Sequence, residues 1–576
     1  MGGVGAVSRA AFQAYALMDL PGLTMPGTCR MRRYTGIGLL IVGCAAALVY
    51  QTRRLGLTVD EASHFAAAYA YWLGEDVLQP ADAPPLTRAI CGWVPRLLGA
   101  PPPRDTNGWK ERDAYLIGAE ILDRPNIRAR RLLFYTRLPF LVFPLLIVFL
   151  LWHWGRQLFG EPVGLCLAAC GALEPTIQGH GVLINSDVPA AFGALWFAYA
   201  AWRYWNTPNV GRLQIMTLAM VVAVLTKFTL LPLAIVGFGL ALCKGPRLLG
   251  AIAIPLALYA GILAASQFQA QPVPRVEIQQ FSGAGVPLWA LPGVNLLARL
   301  PWPLQFVRGL LFIGGSLQGD GFTGYMLGHK IRGWVPLYFP LAWAIKFPIP
   351  LQLLTVAGLA AFFIRIWRRE AGAADLLVWG AAAFFFGAAA ISNSHLGFRH
   401  VLPALPFFIL GGGFALARRS GHRAARVAIA LSLACLAVSS LRVYPQGISY
   451  FNEWIGGPTR AWRYLADSNL DWGQNLPDLG VYMERNRIGR IKTFLFGYDN
   501  PFHYLKPGSM DPQTLPAPDN PALERYYRPR PGLYAVSVNF LAGFLAPPGY
   551  EDYLAFFRER LPDARAGYSI LIYDVK

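Results

Sequence analysis

The sequence predicts an α-helical polytopic membrane protein with a small soluble α/β domain at its C-terminal end. Of 576 residues, 55% are hydrophobic and 14% charged, and the mean hydropathy is +0.38, far too apolar for an ordinary soluble chain. Apolar runs of roughly 20 residues, the length that crosses a bilayer as a helix, recur about eleven times. Beyond Val443 the composition changes to that of a small soluble module. The net charge of +19 does not indicate nucleic acid, because the arginines are dispersed among short loops instead of gathering on one soluble face.

Residues 1–33 read as an N-terminal cytoplasmic segment, ending in Arg30, Arg32 and Arg33 before the apolar stretch Tyr34–Tyr50, the first expected span. Ala45-Ala46-Ala47 would also suit a signal-peptide cleavage site, and either reading puts the residues that follow outside. Further spans centre near residues 145, 171, 196, 219, 236, 257, 353, 383, 409 and 432, and the membrane part closes at residue 442. Alternation then places Arg156, Arg203 with Arg212, Lys244 with Arg247, Arg365 with Arg368 and Arg369, and Arg418 to Arg426 on the inside, as cytoplasmic loops require. It places loop 51–131, the turns at 180–188 and 392–400, the segment 268–335 and residues 443–576 outside. Loop 51–131 is itself basic, which its length exempts from the orientation rule.

Within segment 268–335, Leu296–Ile313 is amphipathic and suits the membrane surface or the lid of a cavity. In the C-terminal part Ala461–Asn486 carries a helical pattern, and Ile491–Gly497, Gly532–Asn539 and Tyr568–Val575 read as strands. Five of the seven cysteines lie in apolar runs, Cys29 precedes the first span and Cys91 falls in an exterior loop, so neither a disulfide framework nor a zinc spacing emerges.

Chemistry concentrates where Thr58-Val59-Asp60-Glu61-Ala62-Ser63-His64 opens the first exterior loop. Thr58 followed three residues later by Glu61 matches a capping box, so a helix should begin here, with Asp60, His64, Ala67 and Tyr71 on one face. Acidic residues in a first turn also serve simply as partners of the helix dipole. Asp187, in Asn185-Ser186-Asp187-Val188-Pro189, sits at another helix start on the same side, where an N-cap role is the plain alternative. Together Asp60, Glu61, His64 and Asp187 could supply a general base and hold a divalent cation such as Mg, Mn or Zn, with His64 and Asp187 the candidate ligands. Complementary cations are Lys346, several residues inside an apolar run, Arg399 with His400 at the outer end of the tenth span, and Lys227 in a tight exterior turn; each suits a lipid phosphate. Snorkelling to the interface is the alternative for Lys346.

Val59-Asp60-Glu61-Ala62-Ser63-His64-Phe65, Ala68-Tyr69-Ala70-Tyr71-Trp72-Leu73-Gly74, Pro84-Pro85-Leu86, Arg156-Gln157-Leu158-Phe159-Gly160, the Asp187 turn, Leu225-Thr226-Lys227-Phe228, Lys346-Phe347-Pro348-Ile349-Pro350 and Gly397-Phe398-Arg399-His400-Val401-Leu402-Pro403 follow in an order that resembles phospholipid carrier-dependent glycosyltransferases, the bacterial protein O-mannosyltransferase-like members of the GT-C superfamily. The resemblance covers most of residues 35–445. It implies a GT-C fold and an inverting transfer of a sugar from a polyprenyl-phosphate donor to a protein, lipid or glycan acceptor on the periplasmic face of the bacterial inner membrane, without a nucleotide sugar. The family's essential acidic residue maps onto Asp60, with Glu61 beside it, and its second onto Asp187. One departure is Ala83, where many relatives carry His or Lys before the Pro-Pro pair, a contribution left to His64, Arg88 or another group. The stretch Tyr450–Gln474 resembles bacterial members without an assigned function; its Asp467, Asn469, Asp471 and Asp478 have partial calcium-loop spacing, but Trp472 stands where that loop needs Gly. A transporter or lipid flippase, with Lys346 in a substrate pathway, is the alternative from another class. The absence of an internal repeat and the gathering of polar residues at one face favour the enzyme.

Overall fold

The computed structural model describes residues 27–576 apart from 76–83, 275–298, 319–321, 420–422 and 517–525. The N-terminal segment as far as residue 26, Ala83 and the first residues of the amphipathic stretch lie outside the described residues. The chain is a helical bundle followed by a small mixed sheet, and each of the eleven expected span centres falls within a helix. Six helices among the described residues are long and apolar enough to cross a membrane: Tyr34–Arg54, Ala129–Phe159, Arg247–Ala265, Ile349–Trp367, Ala373–Ile391 and Phe398–Ala417. Shorter apolar helices, such as Glu161–Leu173 and Val210–Thr226, fill in between them. The protein is thus a multi-pass membrane protein.

The first helix runs Gly27–Arg54, longer at both ends than its apolar core. The next long element is not one uniform helix: Ala129–Arg137 passes through a 3-10 turn at Leu138–Leu141, where Pro139 removes a backbone donor, into Val142–Phe159. Loop 51–131 is mostly helical, with the expected Val59–Trp72 helix at its start. Small residues let its neighbours seat directly on that helix. A β-carbon at Gly118, in the Ala114–Leu122 helix, would lie 2.0 Å from the Ala62 carbonyl oxygen, and one at Gly92 would lie 1.8 Å from that of Ala68. Either substitution would push the Asp60-bearing helix out of place. The amphipathic element is found at Leu304–Gln318, later than expected, since Pro301 and Pro303 hold the preceding backbone extended.

The C-terminal strands are β1 Ile491–Phe494, β2 Met510–Pro512, β3 Gly532–Ser537, β4 Ala564–Ala566 and β5 Ile570–Val575. They form one sheet of order β2-β1-β3-β5-β4, in which β1 runs parallel to β2 and β3 and the other pairs are antiparallel. The three expected strands are present, each shorter than its apolar run. The helical reading of Ala461–Asn486 needs correction: only Leu476–Arg485 is α-helix, and the residues before it make 3-10 turns at Pro458–Arg463 and Asp467–Asn469. The reason is local competition, since the Asn469 amide donates to the Ala466 carbonyl and the Asp471 carboxylate accepts the Gly473 N–H. Gly473, at φ +91°, then turns the chain where a β-carbon would be strained.

Candidate active site

Four helix ends meet at one point. Asp60 lies in the first turn of Val59–Trp72, Asp187 opens Asp187–Asn206, Lys227 caps the C-terminus of Val210–Thr226, and Arg399 lies in the 3-10 turn Phe398–Ala404. The Arg399 guanidinium stands between the two carboxylates, its Nη1 2.8 Å from Asp60 Oδ2 and 3.6 Å from Asp187 Oδ2. Lys227 pairs with the other oxygen of Asp187. Asp60 keeps 21% of its side chain exposed whereas Asp187 keeps 2%, so Asp60 is the carboxylate that a second molecule can reach.

Glu61 faces away from this cluster, into the protein. Arg137 grips both its oxygens, Nε to Oε1 at 2.8 Å and Nη2 to Oε2 at 2.6 Å, with both side chains 1% exposed. The same arginine donates to the carbonyls of Leu55 and Gly56, and Glu61 also accepts the Ile184 N–H, the Thr58 N–H and the Thr58 hydroxyl. A buried pair satisfied so fully fixes the helix start and the 184–187 turn relative to each other, which in turn aims Asp60 and Asp187.

The stretch 467–474 roofs the cluster. The Trp472 ring lies flat against Arg399, its centroid 4.4 Å from the guanidinium carbon, a cation–π contact that also shields the charge from water. The Trp472 carbonyl accepts the Val59 N–H at 2.9 Å, and the Gln474 carbonyl accepts that of Gly56 at 2.9 Å. On the other side Asn469 Oδ1 accepts the Phe398 N–H at 2.9 Å, and the Ser468 hydroxyl donates to Leu396. These eight residues therefore tie the Asp60 helix to the Arg399 turn. They do not ring a cation, since Asn469 spends its amide on protein partners and Asp478 accepts from Asn475 and Gln446.

The remaining expected site residues stand elsewhere. Lys346 is 1% exposed and donates to the carbonyls of Ile448 and Asn469, so its ammonium staples the 467–474 stretch and does not face the carboxylates. Arg88 donates to Gln305 at 2.6 Å, in a cleft shared with Tyr71, Glu75 and Gln267. His64 is buried one turn beyond Asp60. Among the described residues no group of three or more His, Cys, Asp or Glu is placed to hold a metal ion; Asp187 is paired with Lys227 and Arg399. Arg137 was absent from the expected site, although an arginine at the head of an apolar run is a recognisable signal. Trp472 carries no such signal, because its role depends on a contact with a residue far away in the chain.

Comparison with known proteins adds a partial family match. Residues 130–268 match the family model described as dolichyl-phosphate-mannose-protein mannosyltransferase. That stretch holds Arg137, Asp187 and Lys227 and is therefore mannosyltransferase-like, in line with the resemblance drawn from the motifs. No curated protein sequence matches the chain. Among solved structures the chain is similar to ArnT from Cupriavidus metallidurans in the apo state, at 14% identity and a TM-score of 0.44, over 94% of this chain and 98% of that one. It is also similar to the same protein bound to undecaprenyl phosphate, at 14% identity and a TM-score of 0.41, over 93% and 98%.

Proposed function

We propose that the protein is an integral membrane glycosyltransferase that moves a sugar from a polyprenyl-phosphate carrier to an acceptor hydroxyl at the periplasmic face of the bacterial inner membrane. The observation that carries this reading is the placement of Arg399 between an accessible and a buried carboxylate, with Lys227 adjoining. A hydroxyl is a poor nucleophile at neutral pH, so a positioned base must take its proton as the new bond forms. Asp60 fits that role. In a single inverting displacement the acceptor oxygen bonds to the anomeric carbon, the bond from that carbon to the phosphate oxygen breaks, and its electron pair leaves with the lipid phosphate.

Arg399 and Lys227 meet the charge of that leaving group. Before the donor arrives Arg399 is engaged by Asp60; a phosphate drawing on the same guanidinium loosens that pair and frees the carboxylate to act as base. The arrangement of Lys346 argues against a transport pathway, because the buried cation on which such a pathway would depend is bonded to two backbone carbonyls. The test is incubation of the purified protein with a panel of polyprenyl-phosphate sugars. Donor-dependent release of lipid phosphate is expected from the wild type, and Asp60→Asn should lower turnover by roughly a hundredfold or more with donor binding retained. Full activity in Asp60→Asn would assign the base elsewhere.

A further inference from the structure

We propose that the C-terminal sheet carries a docking site for an anionic saccharide, the acceptor class that the enzyme would extend: Lys492, Arg528 and Arg530 meet its carboxylate or phosphate groups, and the Tyr526 ring takes a sugar face. The acceptor role rests on the glycosyltransferase reading above; the binding site does not. An open cavity of about 520 Å³ lies against strands β1, β2 and β3, well within the size of small-molecule sites. Its floor is a cross-strand row. Lys492 of β1 stands in register with Asp511 of β2 and Tyr534 of β3, so the three side chains share one face of the sheet. Lys492 donates to the carbonyls of Arg530 at 3.3 Å and Pro531 at 3.2 Å and to the Tyr534 hydroxyl at 3.2 Å, with its ammonium 4.9 Å from the centre of the Tyr534 ring. The rim segment is thus pinned through its backbone, while Arg528 and Arg530 are exposed residues.

Three cations line this cavity against a single carboxylate, so an anion is the favoured guest. A bare phosphate would need no more than the two arginines. The rest of the lining suits a sugar. Tyr526, 50% exposed, offers an aromatic face whose negative π-cloud attracts the slightly positive C–H face of a pyranose. The Asp511 carboxylate, the Gln513 amide and the Tyr527 hydroxyl mix acceptors and donors, as sugar hydroxyls require. That wall is preformed: the Tyr527 hydroxyl donates to Gln513 Oε1 at 2.8 Å, and its ring packs on Phe494 with centroids 5.2 Å apart. Placement ties the cavity to the reacting centre. From Lys492 the chain reaches Phe496 in four residues, at most about 13 Å at ~3.3 Å per residue, and a β-carbon at Gly473 would lie 3.3 Å from the Phe496 carbonyl oxygen. Gly473 follows Trp472, the residue stacked on Arg399. The cavity therefore lies on the module that roofs the cluster, a short strand's length from it, which suits an acceptor longer than one sugar.

The test is isothermal titration calorimetry on the full-length protein in detergent, with no donor present. Tetragalacturonate supplies carboxylates and pentamannose 6-phosphate a phosphate; maltotetraose is the neutral saccharide and hexaglutamate the acidic peptide. At least one anionic saccharide is expected to bind about tenfold more tightly than both controls, and the one that does assigns the charged group. Arg528→Gln and Arg530→Gln should each weaken that binding by about tenfold, the loss of one charge-assisted hydrogen bond, and Tyr526→Ala by about fivefold, the loss of one ring face. Arg485→Gln, which removes the same charge from an exposed helix position outside the cavity lining, should leave binding unchanged. All four residues are exposed, and the carbonyl of Arg530, not its guanidinium, holds Lys492, so these variants should melt with the wild type. Binding of neither anionic saccharide, equal binding of maltotetraose or hexaglutamate, or an equal loss in Arg485→Gln would overturn the site. No lipid phosphate is released in these measurements, so a failed transfer assay with binding intact counts against the transferase reading and not against the site. With a donor that turns over, the bound saccharide should serve as acceptor or compete with it, and Arg528→Gln should raise its KM or Ki about tenfold; no effect on transfer overturns the acceptor role.

Discussion

Asp60 and Asp187 flank one guanidinium yet have different fates, because the buried Asp187 is claimed by Lys227 as well, whereas Asp60 faces accessible space. Asp187→Asn should therefore loosen Lys227 and Arg399 and weaken donor binding, measurable with a non-transferable polyprenyl phosphate, while Asp60→Asn should spare it. Glu61 and Arg137 answer to stability instead. Arg137→Met would leave a buried carboxylate without its cation, a cost of about 3–5 kcal/mol, and should appear as a lower melting temperature and poor yield from membranes. The carboxylates were legible in the sequence because paired acids at a helix start stand out against an apolar background. Part of their division of labour was legible too, since the Thr58–Glu61 capping box turns Glu61 back onto the helix start; its pairing with Arg137, 76 residues away, was not.

Short connecting elements, more than the long helices, shape the site. The 467–474 stretch contains four acidic or amide side chains that bond the local backbone, Asp467, Asn469, Asp471 and Gln474, and this is why its helical periodicity misleads: the apolar spacing reflects burial of Leu470 and Trp472 against other elements, not one helical face. Lys346→Met should loosen that stretch, lower the melting temperature and, through the displaced Arg399 turn, weaken donor affinity, whereas Arg399→Met should weaken donor affinity with the smaller loss of melting temperature. A second tie joins the sheet region to the first loop. His503 lies 3.0 Å from Asp123 and 3.1 Å from Asp499, and the Asp499 carboxylate accepts the N–H of Leu57, just ahead of the Asp60 helix. Burial pulls the His503 imidazole down, but the two carboxylates more than offset it and raise it to about 9. A raised histidine stabilises the fold fully below its ordinary value near 6.5 and loses that contribution as pH climbs through about 9. Thermal melts between pH 6 and pH 10 should show an alkaline decline that His503→Gln flattens.

At the scale of the whole molecule, the helical class and the C-terminal sheet follow from composition and apolar run length, and the span centres all fall in helices. What the sequence withheld is how the two parts meet, because inter-element contacts leave no periodic trace. Cysteines introduced at exposed positions 369 and 561 test the expected orientation: 561 should label from outside intact cells, and 369 only after permeabilisation. Lipid-phosphate release should also survive chelation, because Arg399 and Lys227 already supply the positive charge that a divalent cation would bring.

The roof over Arg399 has a bearing on the life of the chain as it is made. The ribosome delivers Asp60 early and Trp472 only after the last long helix has been synthesised, and the bond from the Leu57 N–H to Asp499 spans 442 residues of sequence. A nascent chain that has completed every membrane helix still has an unshielded Arg399 and lacks the tie between the Asp60 helix and the Arg399 turn. Chains cut short by a premature stop before residue 467 are therefore expected to be inserted, inactive and readily degraded, so that the protein becomes competent only when its synthesis is nearly finished.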